Sequence, residues 1–379
     1  MRLIYPLLWS RPGRQADRAQ ALNTAAALAR LGHEVTLMMP RGRRDPGLSA
    51  DDLRAYFDVE GDFALLQRPS RWGSEQAVPS TLWLRQLARD PAVRASDLLY
   101  SRMPVTLAFG GLSPVPFATD HYRPWPDSLP ALRPLIRRTA RQPHCLGFVL
   151  HSRFAAESYR RIGIPEEKLL VAHNGADPRR MLPRMDKAEA RAAVGLPQDR
   201  PVALYAGRVH KRKGLDQVLR LAALRPEILF ALVGSEGEGE IERAAAALPN
   251  VRIFPWAAPA ALPPWLFAAD VLLIPTSSAP LEQFGDCVLP MKTFSYLAAA
   301  RPILAPLSPD TAELLRDGGN ASLVPPDDPR AAAAALDRLL GDAALAERLS
   351  AGAAATASEL SWDRRAAKIA AFLAARLGY

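Results

Sequence analysis

Apolar segments of strand length alternate with amphipathic helical segments along nearly the whole chain, and this alternation limits the fold most. In the first half, the strand-like segments include LIYPLLW, HEVTLMMP, PFATDH and CLGFVLHS. The second half repeats the scheme from RPVALYAG to ASLVPP. Apolar strands connected by helices are typical of parallel sheets covered on both faces. The sequence therefore predicts the α/β class, with a doubly wound parallel sheet in each half.

The length of the chain predicts two domains, because 379 residues exceed one ordinary hydrophobic core. The segment PRRMLPRMDK, residues 178–187, is rich in proline and arginine, which is typical of a linker. We expect an N-terminal domain over 1–180 and a C-terminal domain over 181–362. We expect the last helix, 363–379, to pack back on the N-terminal domain.

The composition indicates a soluble globular protein, with 49% hydrophobic and 23% charged residues. Its two cysteines, Cys145 and Cys287, lie far apart without metal-ligand spacing, which fits a reducing compartment. No segment reaches the ~20 apolar residues of a membrane span. The first residues are interpreted as a strand and not as a signal peptide. We therefore expect a cytoplasmic protein without a metal site.

The excess positive charge lies entirely in the first half of the chain. Residues 1–180 contain 26 Lys+Arg and 17 Asp+Glu, whereas the two kinds are equal in number over 181–379. This asymmetry favours an anionic partner for the first half, although arginine as the preferred solubilising residue explains it equally well. Nucleic acid is not the expected partner, because the chain has no zinc-knuckle, helix-turn-helix or stacking-aromatic pattern.

The segment YAGRVHKRKGLDQVL, residues 205–219, joins a predicted strand to a helix that begins near Leu215. Backbone N–H groups and the positive end of a helix favour an anion at such a place. Arg208 offers a bidentate fork and Lys213 a movable point charge, while Gly214 lets the backbone come close. Taken alone, the segment is equally compatible with a solvated turn.

The same segment resembles the GR…KG loop of the GT-B glycosyltransferases, specifically the large retaining family four, glycosyl transferases group 1. Further similar segments follow in the order of that family, and coverage is strong from about residue 145 onwards. They are HSRFAAESYRRIGIPEEKLLVAHNGADP, FALVGSEGEGE, LPPWLFAADVLLIPTS, PMKTFSYLAAARPILAP and ELLRDGGNASLVPPDDP.

The resemblance implies two Rossmann-like domains that face a central cleft, and a nucleotide-diphosphate sugar, a UDP-sugar or GDP-sugar, as donor. It implies transfer to a polysaccharide, lipid-linked or small-molecule acceptor with retention of anomeric configuration, without a metal or other cofactor. Bacterial cell-envelope polysaccharide or glycolipid biosynthesis is the setting it suggests. A non-catalytic nucleotide-binding protein and a nucleotide-sugar epimerase or phosphorylase of the same fold remain as alternatives.

The resemblance also assigns roles to individual residues. It implies that Arg208 and Lys213 hold the diphosphate. For Lys211 and Arg212, which it does not match, we expect exposure to solvent. His121, with Asp120 beside it, is the expected catalytic group near the reacting sugar. The other residues expected around the donor are Gly207, Gly214, Gly234, Ser235, Glu236, Lys292 and Ser295.

The chain departs from the family at a pair of glutamates. The equivalent positions are Cys287 and Ser295, and a serine hydroxyl binds a ribose hydroxyl more weakly than a carboxylate does. Glu282 and Asp286 are the nearest acidic residues that can substitute for the first glutamate. Glu282 is therefore added to the expected catalytic residues.

Two segments of the first half mix arginine with apolar residues, 71–89 and 122–142. Such a mixture is found in helices that bind at a membrane interface. An ordinary amphipathic helix with its arginines in solvent has the same composition. We expect peripheral contact with an anionic membrane through 122–142, on the inner face of the cytoplasmic membrane.

Overall fold

The computed structural model describes residues 1–42, 45, 47–69, 77–102, 113–282 and 289–378. These divide into two compact units. The N-terminal unit consists of Met1–Asn174 together with the chain from Trp362 onwards, and the C-terminal unit is Gly175–Ser361. The sequence predicts the first boundary at 180/181. It lies earlier because the backbone N–H of Ala176 already donates to the carbonyl of Leu360, within the C-terminal unit.

The N-terminal unit is built on a parallel sheet of strand order β3-β2-β1-β4-β5-β6-β7. The strands are β1 (Arg2–Pro6), β2 (Glu34–Arg41), β3 (Ala64–Pro69), β4 (Leu98–Ser101), β5 (Phe117–His121), β6 (Cys145–Leu150) and β7 (Leu169–Val171). Every residue of β4, β5 and β6 is buried, because helices cover both faces of a doubly wound sheet. Because these strands are buried on both faces, the sequences of β4 and β6 are nearly continuous apolar runs and do not alternate with polar residues.

The helices of this unit follow the strands in the predicted alternation. They are α1 (Ala16–Arg30), α2 (Ala50–Phe57), α3 (Ala77–Leu87), α4 (Pro91–Arg94), α5 (Trp125–Ser128), α6 (Arg133–Ala140) and α7 (Arg153–Arg161). Ser152 caps α7 as predicted, since its hydroxyl accepts from the backbone N–H of Ala155.

The C-terminal unit contains a second parallel sheet, of order β10-β9-β8-β11-β12-β13. The strands are β8 (Val202–Ala206), β9 (Leu229–Ser235), β10 (Val251–Pro255), β11 (Val271–Leu273), β12 (Ile303–Pro306) and β13 (Ser322–Val324). Alternate residues of β8 belong to different buried apolar clusters, Ala203 and Tyr205 to one and Val202 and Leu204 to the other. The predicted class, α/β with a doubly wound parallel sheet in each half, is confirmed.

The helices of the second unit cover both faces of its sheet. They are α8 (Lys187–Val194), α9 (Leu215–Leu224), α10 (Glu240–Ala245), α11 (Leu262–Ala268), α12 (Ala279–Glu282), α13 (Lys292–Ala299), α14 (Pro329–Gly341) and α15 (Ala343–Ser358). Within the described part of the chain, no helix is both long enough and apolar enough to span a bilayer.

The last helix, α16 (Trp362–Leu377), packs on α1 and β6 of the N-terminal unit. It buries Arg365 among apolar residues of the same face. The guanidinium of Arg365 donates to Oδ2 of Asp120 at 2.6 Å, and both side chains are 1% exposed. A second nitrogen donates to the carbonyl of Ala172 at 2.8 Å. Arg365 thus connects α16 to the carboxyl ends of β5 and β7.

Removal of Arg365 is expected to destabilise the N-terminal unit. Arg365→Ala leaves the carboxylate of Asp120 buried without its cation, a change that costs about 3–5 kcal/mol in comparable buried pairs. The first transition in a thermal unfolding scan should therefore fall by roughly 10 °C. Lys368→Ala, on the exposed side of the same helix, is the control and should unfold within about 2 °C of the wild type. Equal melting of both variants would contradict a role for the ion pair.

Candidate functional site

The loop after β8 brings one of its cations against the end of β11. Lys211–Lys213 form one 3₁₀ turn, and α9 begins at Leu215, as predicted. Gly214 between them has φ +70°, and a Cβ there would lie 2.5 Å from Cβ of Ser277. Glycine is therefore needed at this position, both for its backbone conformation and for the close approach.

A pocket opens at this edge of the second sheet. Among the residues that the structure describes, two ammonium groups line it, those of Lys213 and Lys292, together with one carboxylate, that of Asp310. The remaining described lining residues are Ile274, Pro275, Ser277, Pro280, Leu281, Pro290, Pro306, Ser308 and Thr311. Ligands of doubly wound sheets bind beyond the carboxyl ends of the strands, and the excess of positive charge here favours an anion.

Asp310 is structural within this pocket. It is 2% exposed, and its two carboxylate oxygens accept from the hydroxyl of Ser308 and from the backbone N–H of Leu289, both at 2.7 Å. These bonds fix the loop after β12. The carboxylate is therefore engaged, and it leaves the two lysines as the groups that can meet an anion.

The four cations of the loop have different surroundings. Arg208, at the end of β8, pairs with Glu236 at 2.9 Å, and its side chain is 60% exposed. Lys211 pairs with Glu240 at 3.2 Å on the outside of the unit. Arg212 is exposed. The structure thus directs Lys213 into the pocket and Lys211 away from it.

The ends of β8 and β9 touch through two glycines. A Cβ on Gly234 would lie 2.1 Å from the carbonyl oxygen of Gly207, and Gly234 has φ +127°. The N–H of Gly207 donates to Val233, and that of Val209 donates to Gly234. This contact lets the cationic loop cross the end of β9, which places Arg208 beside Glu236.

Ser235 lies next to this contact and binds within its own loop. Its hydroxyl lies 2.6 Å from Oε1 of Glu242 and 2.9 Å from the carbonyl oxygen of Gly237, and its single hydrogen is donated between these two acceptors. It orders the turn that carries Glu236.

Helix α13 supplies Lys292 but not Ser295 to the pocket. The ammonium of Lys292 lies 3.5 Å from the centre of the Tyr205 ring, a cation–π contact. Ser295 is half-buried and is not among the described lining residues. Glu282 ends α12 and is exposed, whereas its neighbours Pro280 and Leu281 line the pocket. Asp286 and Cys287 lie outside the described residues.

In the N-terminal unit, Asp120 and His121 lie side by side at the end of β5 but on opposite faces of the sheet. Three donors converge on Oδ2 of Asp120, from Arg365, Gln20 and Tyr100. Burial opposes ionisation of this carboxyl group, but the charges of Arg365 and Arg102 outweigh it and lower its pKa. The charge of Asp120 is compensated, and its carboxylate holds together the side chains of Gln20, Tyr100 and Arg365. None of its described contacts is with a nucleophile or a general acid.

His121 is 1% exposed, and its Nδ1 lies 2.7 Å from the hydroxyl of Tyr159. Burial lowers the pKa of His121 to about 4, so the imidazole is neutral near pH 7. Its Nε2 has no hydrogen-bond partner among the described residues. A neutral imidazole with one nitrogen engaged and the other without a partner can donate or accept one further hydrogen bond.

Arg365, Arg102 and His151 are not among the residues that the sequence predicts at this edge. Arg365 looks like a surface charge because its helix has other cations nearby in sequence, Arg364 and Lys368. The signal that was available is that Arg102 and His151 each directly follow a buried strand, as His121 ends one.

A matched pair of glycine substitutions tests the contact between β8 and β9. Gly234→Ala must displace the carbonyl of Gly207, and we expect this to destabilise the C-terminal unit by several kcal/mol and to abolish binding at the cationic loop. Gly237→Ala is the control, since Gly237 has a similar φ of +139° but no heavy atom within 4 Å of the added Cβ. If both variants unfold at the same denaturant concentration, φ alone and not the close approach determines the requirement for glycine.

Two family models match the chain. The model described as Glycosyltransferase Family 4 matches residues 19–180, and the model described as Glycosyl transferases group 1 matches residues 200–342.

Among the described residues, no group of three or more His, Cys, Asp or Glu side chains is arranged to hold a metal ion.

Similar curated proteins are D-inositol 3-phosphate glycosyltransferases. That of Streptomyces scabiei is 35% identical over 237 residues, which are 57% of this chain and 50% of the relative. That of Streptomyces bingchenggensis is 32% identical over 233 residues, again 57% of this chain and 50% of the relative. The chain thus spans about half the length of these relatives.

Solved structures resemble the whole chain in fold. Anabaena Alr3699/HepE in complex with UDP-glucose has a TM-score of 0.75 at 17% identity and covers 99% of this chain and 100% of its own. WaaG, a glycosyltransferase involved in lipopolysaccharide biosynthesis, has a TM-score of 0.68 at 15% identity, with 98% and 99% covered. The two family matches lie in succession over most of the sequence, and the fold is that of these enzymes. The chain therefore belongs to the group 1 glycosyltransferases of the GT-B fold.

Proposed function

We propose that this protein is a hexosyltransferase that moves a sugar from a nucleotide-diphosphate sugar to an acceptor with retention of anomeric configuration. The observation that carries the proposal is the pocket at the carboxyl edge of the second sheet, where Lys213 and Lys292 meet. Arg208 follows β8 directly after Gly207, where an added Cβ would lie 3.0 Å from Nζ of Lys292. The family of the chain and the UDP-glucose bound by Anabaena Alr3699/HepE support a nucleotide sugar as donor.

The cations fit the chemistry of a diphosphate leaving group. When the bond between the sugar and the diphosphate breaks, negative charge grows on the phosphate oxygens. The ammonium of Lys213 neutralises that charge in the proposed complex, and Arg208 adds a planar fork that binds two oxygens. Lys292 is held over Tyr205, so its charge is in position before the donor binds. No metal is required in this scheme.

Arg208 must exchange partners when the donor binds. Its guanidinium contacts Glu236 at 2.9 Å, and the exposure of both side chains allows the pair to separate. In the proposed complex, the guanidinium of Arg208 turns to the diphosphate. The carboxylate of Glu236 then accepts hydrogen bonds from the hydroxyl groups of the ribose. Glu236 thereby takes over the binding of the ribose. Ser295, at the family's glutamate position, is not among the described residues that line the pocket.

We propose that His121 acts near the reacting sugar and that Asp120 is a positioning residue. The open Nε2 of His121 supports the first assignment, and the three donors on Asp120 support the second. Glu282 is proposed as an acidic group at the rim of the donor pocket, because it follows two residues that line it.

Donor binding tests the proposal directly. Isothermal titration with UDP-glucose, UDP-N-acetylglucosamine and GDP-mannose should reveal at least one nucleotide sugar that binds. Arg208→Gln and Lys213→Gln should each weaken that binding at least about tenfold, because each removes a charge-assisted hydrogen bond. Lys211→Gln is the matched control, and its binding constant should stay within about twofold.

The outcomes separate the alternatives. If no nucleotide sugar binds the wild type, the donor site does not exist. An equal loss in Lys211→Gln and Lys213→Gln would indicate general electrostatic attraction instead of a pocket. Binding without transfer or hydrolysis would favour the non-catalytic alternative, which Ser295 in place of the family's glutamate supports.

We further propose that α6 lies against an anionic membrane surface and that the acceptor is lipid-linked. The helix buries Ile136 and exposes Arg137, Arg138 and Arg141. Leu129, just before it, is 46% exposed. Arginines beside exposed apolar groups suit the headgroup region of a bilayer.

Liposome sedimentation tests this contact. The wild type should sediment with vesicles that contain phosphatidylserine and not with pure phosphatidylcholine. Arg138→Glu/Arg141→Glu should remove most of the bound fraction, because a juxtamembrane cation contributes about 1 kcal/mol each near such surfaces. Arg220→Glu/Arg243→Glu makes the same charge change on exposed residues of the C-terminal unit and should leave sedimentation unchanged. Equal binding to both kinds of vesicle would contradict the proposal.

A further inference from the structure

Hydrogen-bond donors without partners gather at the carboxyl edge of the first sheet. They belong to buried atoms that form no hydrogen bond with the described residues. These atoms are the hydroxyl of Tyr5, Nη1 of Arg102, Nε2 of His151 and Nε of Arg365. Buried polar atoms in folded proteins nearly always have a protein, water or ligand partner. A group of unsatisfied donors therefore indicates an occupant.

Three of these residues lie close together on one face of the sheet. Arg102 follows β4, and its guanidinium carbon lies 5.1 Å from the centre of the Tyr122 ring. The ring of His151, which follows β6, lies 5.9 Å from the same ring. Tyr5 lies on β1, next to β4, with its ring edge against that of Tyr100. We call Tyr5, Arg102 and His151 the N-terminal donor cluster.

The protonation states make the whole cluster donating. Nδ1 of His151 lies 3.3 Å from the side-chain amide of Asn174, and with the amide nitrogen as the donor the proton of the ring is on Nε2. Burial lowers the pKa of His151 to about 3, and the ring is neutral near pH 7. Burial also raises the pKa of Tyr5, so its hydroxyl keeps its proton.

Two guanidinium groups at this edge, those of Arg365 and Arg102, act on one buried carboxylate, that of Asp120, so one positive charge is left over. Asp120 is the buried carboxylate, and the guanidinium of Arg365 compensates it at 2.6 Å. Asp17, on α1, is a second carboxylate whose charge reaches Tyr5, but it is exposed to solvent. In the described part of the chain, no carboxylate forms an ion pair with Arg102. A guanidinium with a buried nitrogen and no counter-ion favours an oxyanion, to which it donates two parallel hydrogen bonds.

We propose that the N-terminal donor cluster binds an oxyanion, a phosphate or carboxylate group, that belongs to the acceptor. Arg102 is its principal ligand, and His151 and Tyr5 each donate one hydrogen bond. The inference rests on the proposed function, because the diphosphate of the donor is assigned to Lys213 and Lys292 of the other unit. The acceptor would accordingly be an anionic sugar, polyol or lipid headgroup.

Titration of small anions tests the cluster without knowledge of the acceptor. The protein used is the full chain with Arg208→Gln and Lys213→Gln, in which the cations of the donor pocket are reduced. Isothermal titration at low ionic strength is done with inorganic phosphate and with acetate. We expect one of them to bind, and Arg102→Gln in this background to weaken it at least about tenfold. Glycerol 3-phosphate and vesicles of phosphatidic acid then distinguish a soluble from a lipid-bound source.

Arg123→Gln is the matched control, because its guanidinium also lies over the Tyr122 ring, at 5.3 Å. Its anion affinity should stay within about twofold. If Arg102→Gln does not fold, Arg102→Lys keeps the charge, and it should show an intermediate loss because the planar fork is gone. Absence of anion binding in the background protein, or equal affinity in Arg102→Gln, would overturn the inference and indicate buried water only. Failure of the proposed function is a separate result, since it is the failure of the protein with intact Arg208 and Lys213 to bind a nucleotide sugar.

Discussion

All strands of each sheet run in the same direction, and this constraint determines where chemistry can occur in either unit. Parallel strands bring their carboxyl ends to one edge, where the backbone leaves the sheet and polar side chains are tolerated. In the C-terminal unit this edge carries Lys213 and Lys292, and in the N-terminal unit it carries Arg102, His121 and His151. Residues far apart in sequence come together at these edges because every strand of a parallel sheet ends on the same side.

The ion pairs at the two edges differ in their exposure to solvent. At the carboxyl edge of the second sheet, Arg208 and Glu236 form an ion pair whose side chains are 60% and 36% exposed, so water screens both charges. In the N-terminal unit, the paired side chains of Asp120 and Arg365 are buried, each 1% exposed. A buried pair requires further hydrogen bonds to offset its desolvation, and Gln20, Tyr100 and the carbonyl of Ala172 provide them.

The sequence predicts the strands, their parallel arrangement and the start of α9 at Leu215, because each depends on local patterns of apolar residues, glycine and proline. It also separates Lys213 from Lys211, once the family's loop is recognised. Contacts across the fold are different. Nothing in the sequence near Arg365 indicates that a carboxylate 245 positions earlier receives it. The pairing of Arg208 with Glu236 likewise depends on two glycines that let β8 and β9 touch, and this contact has no local pattern.

The position of Arg365 has a consequence for synthesis of the chain. Domains generally fold as they leave the ribosome, from the N-terminus onwards. The first 174 residues emerge with the carboxylate of Asp120 in place, but the cation that matches it arrives only after the whole C-terminal unit has been made. The first unit to be translated is thus the last to be completed, and the C-terminal unit folds as an insertion within it.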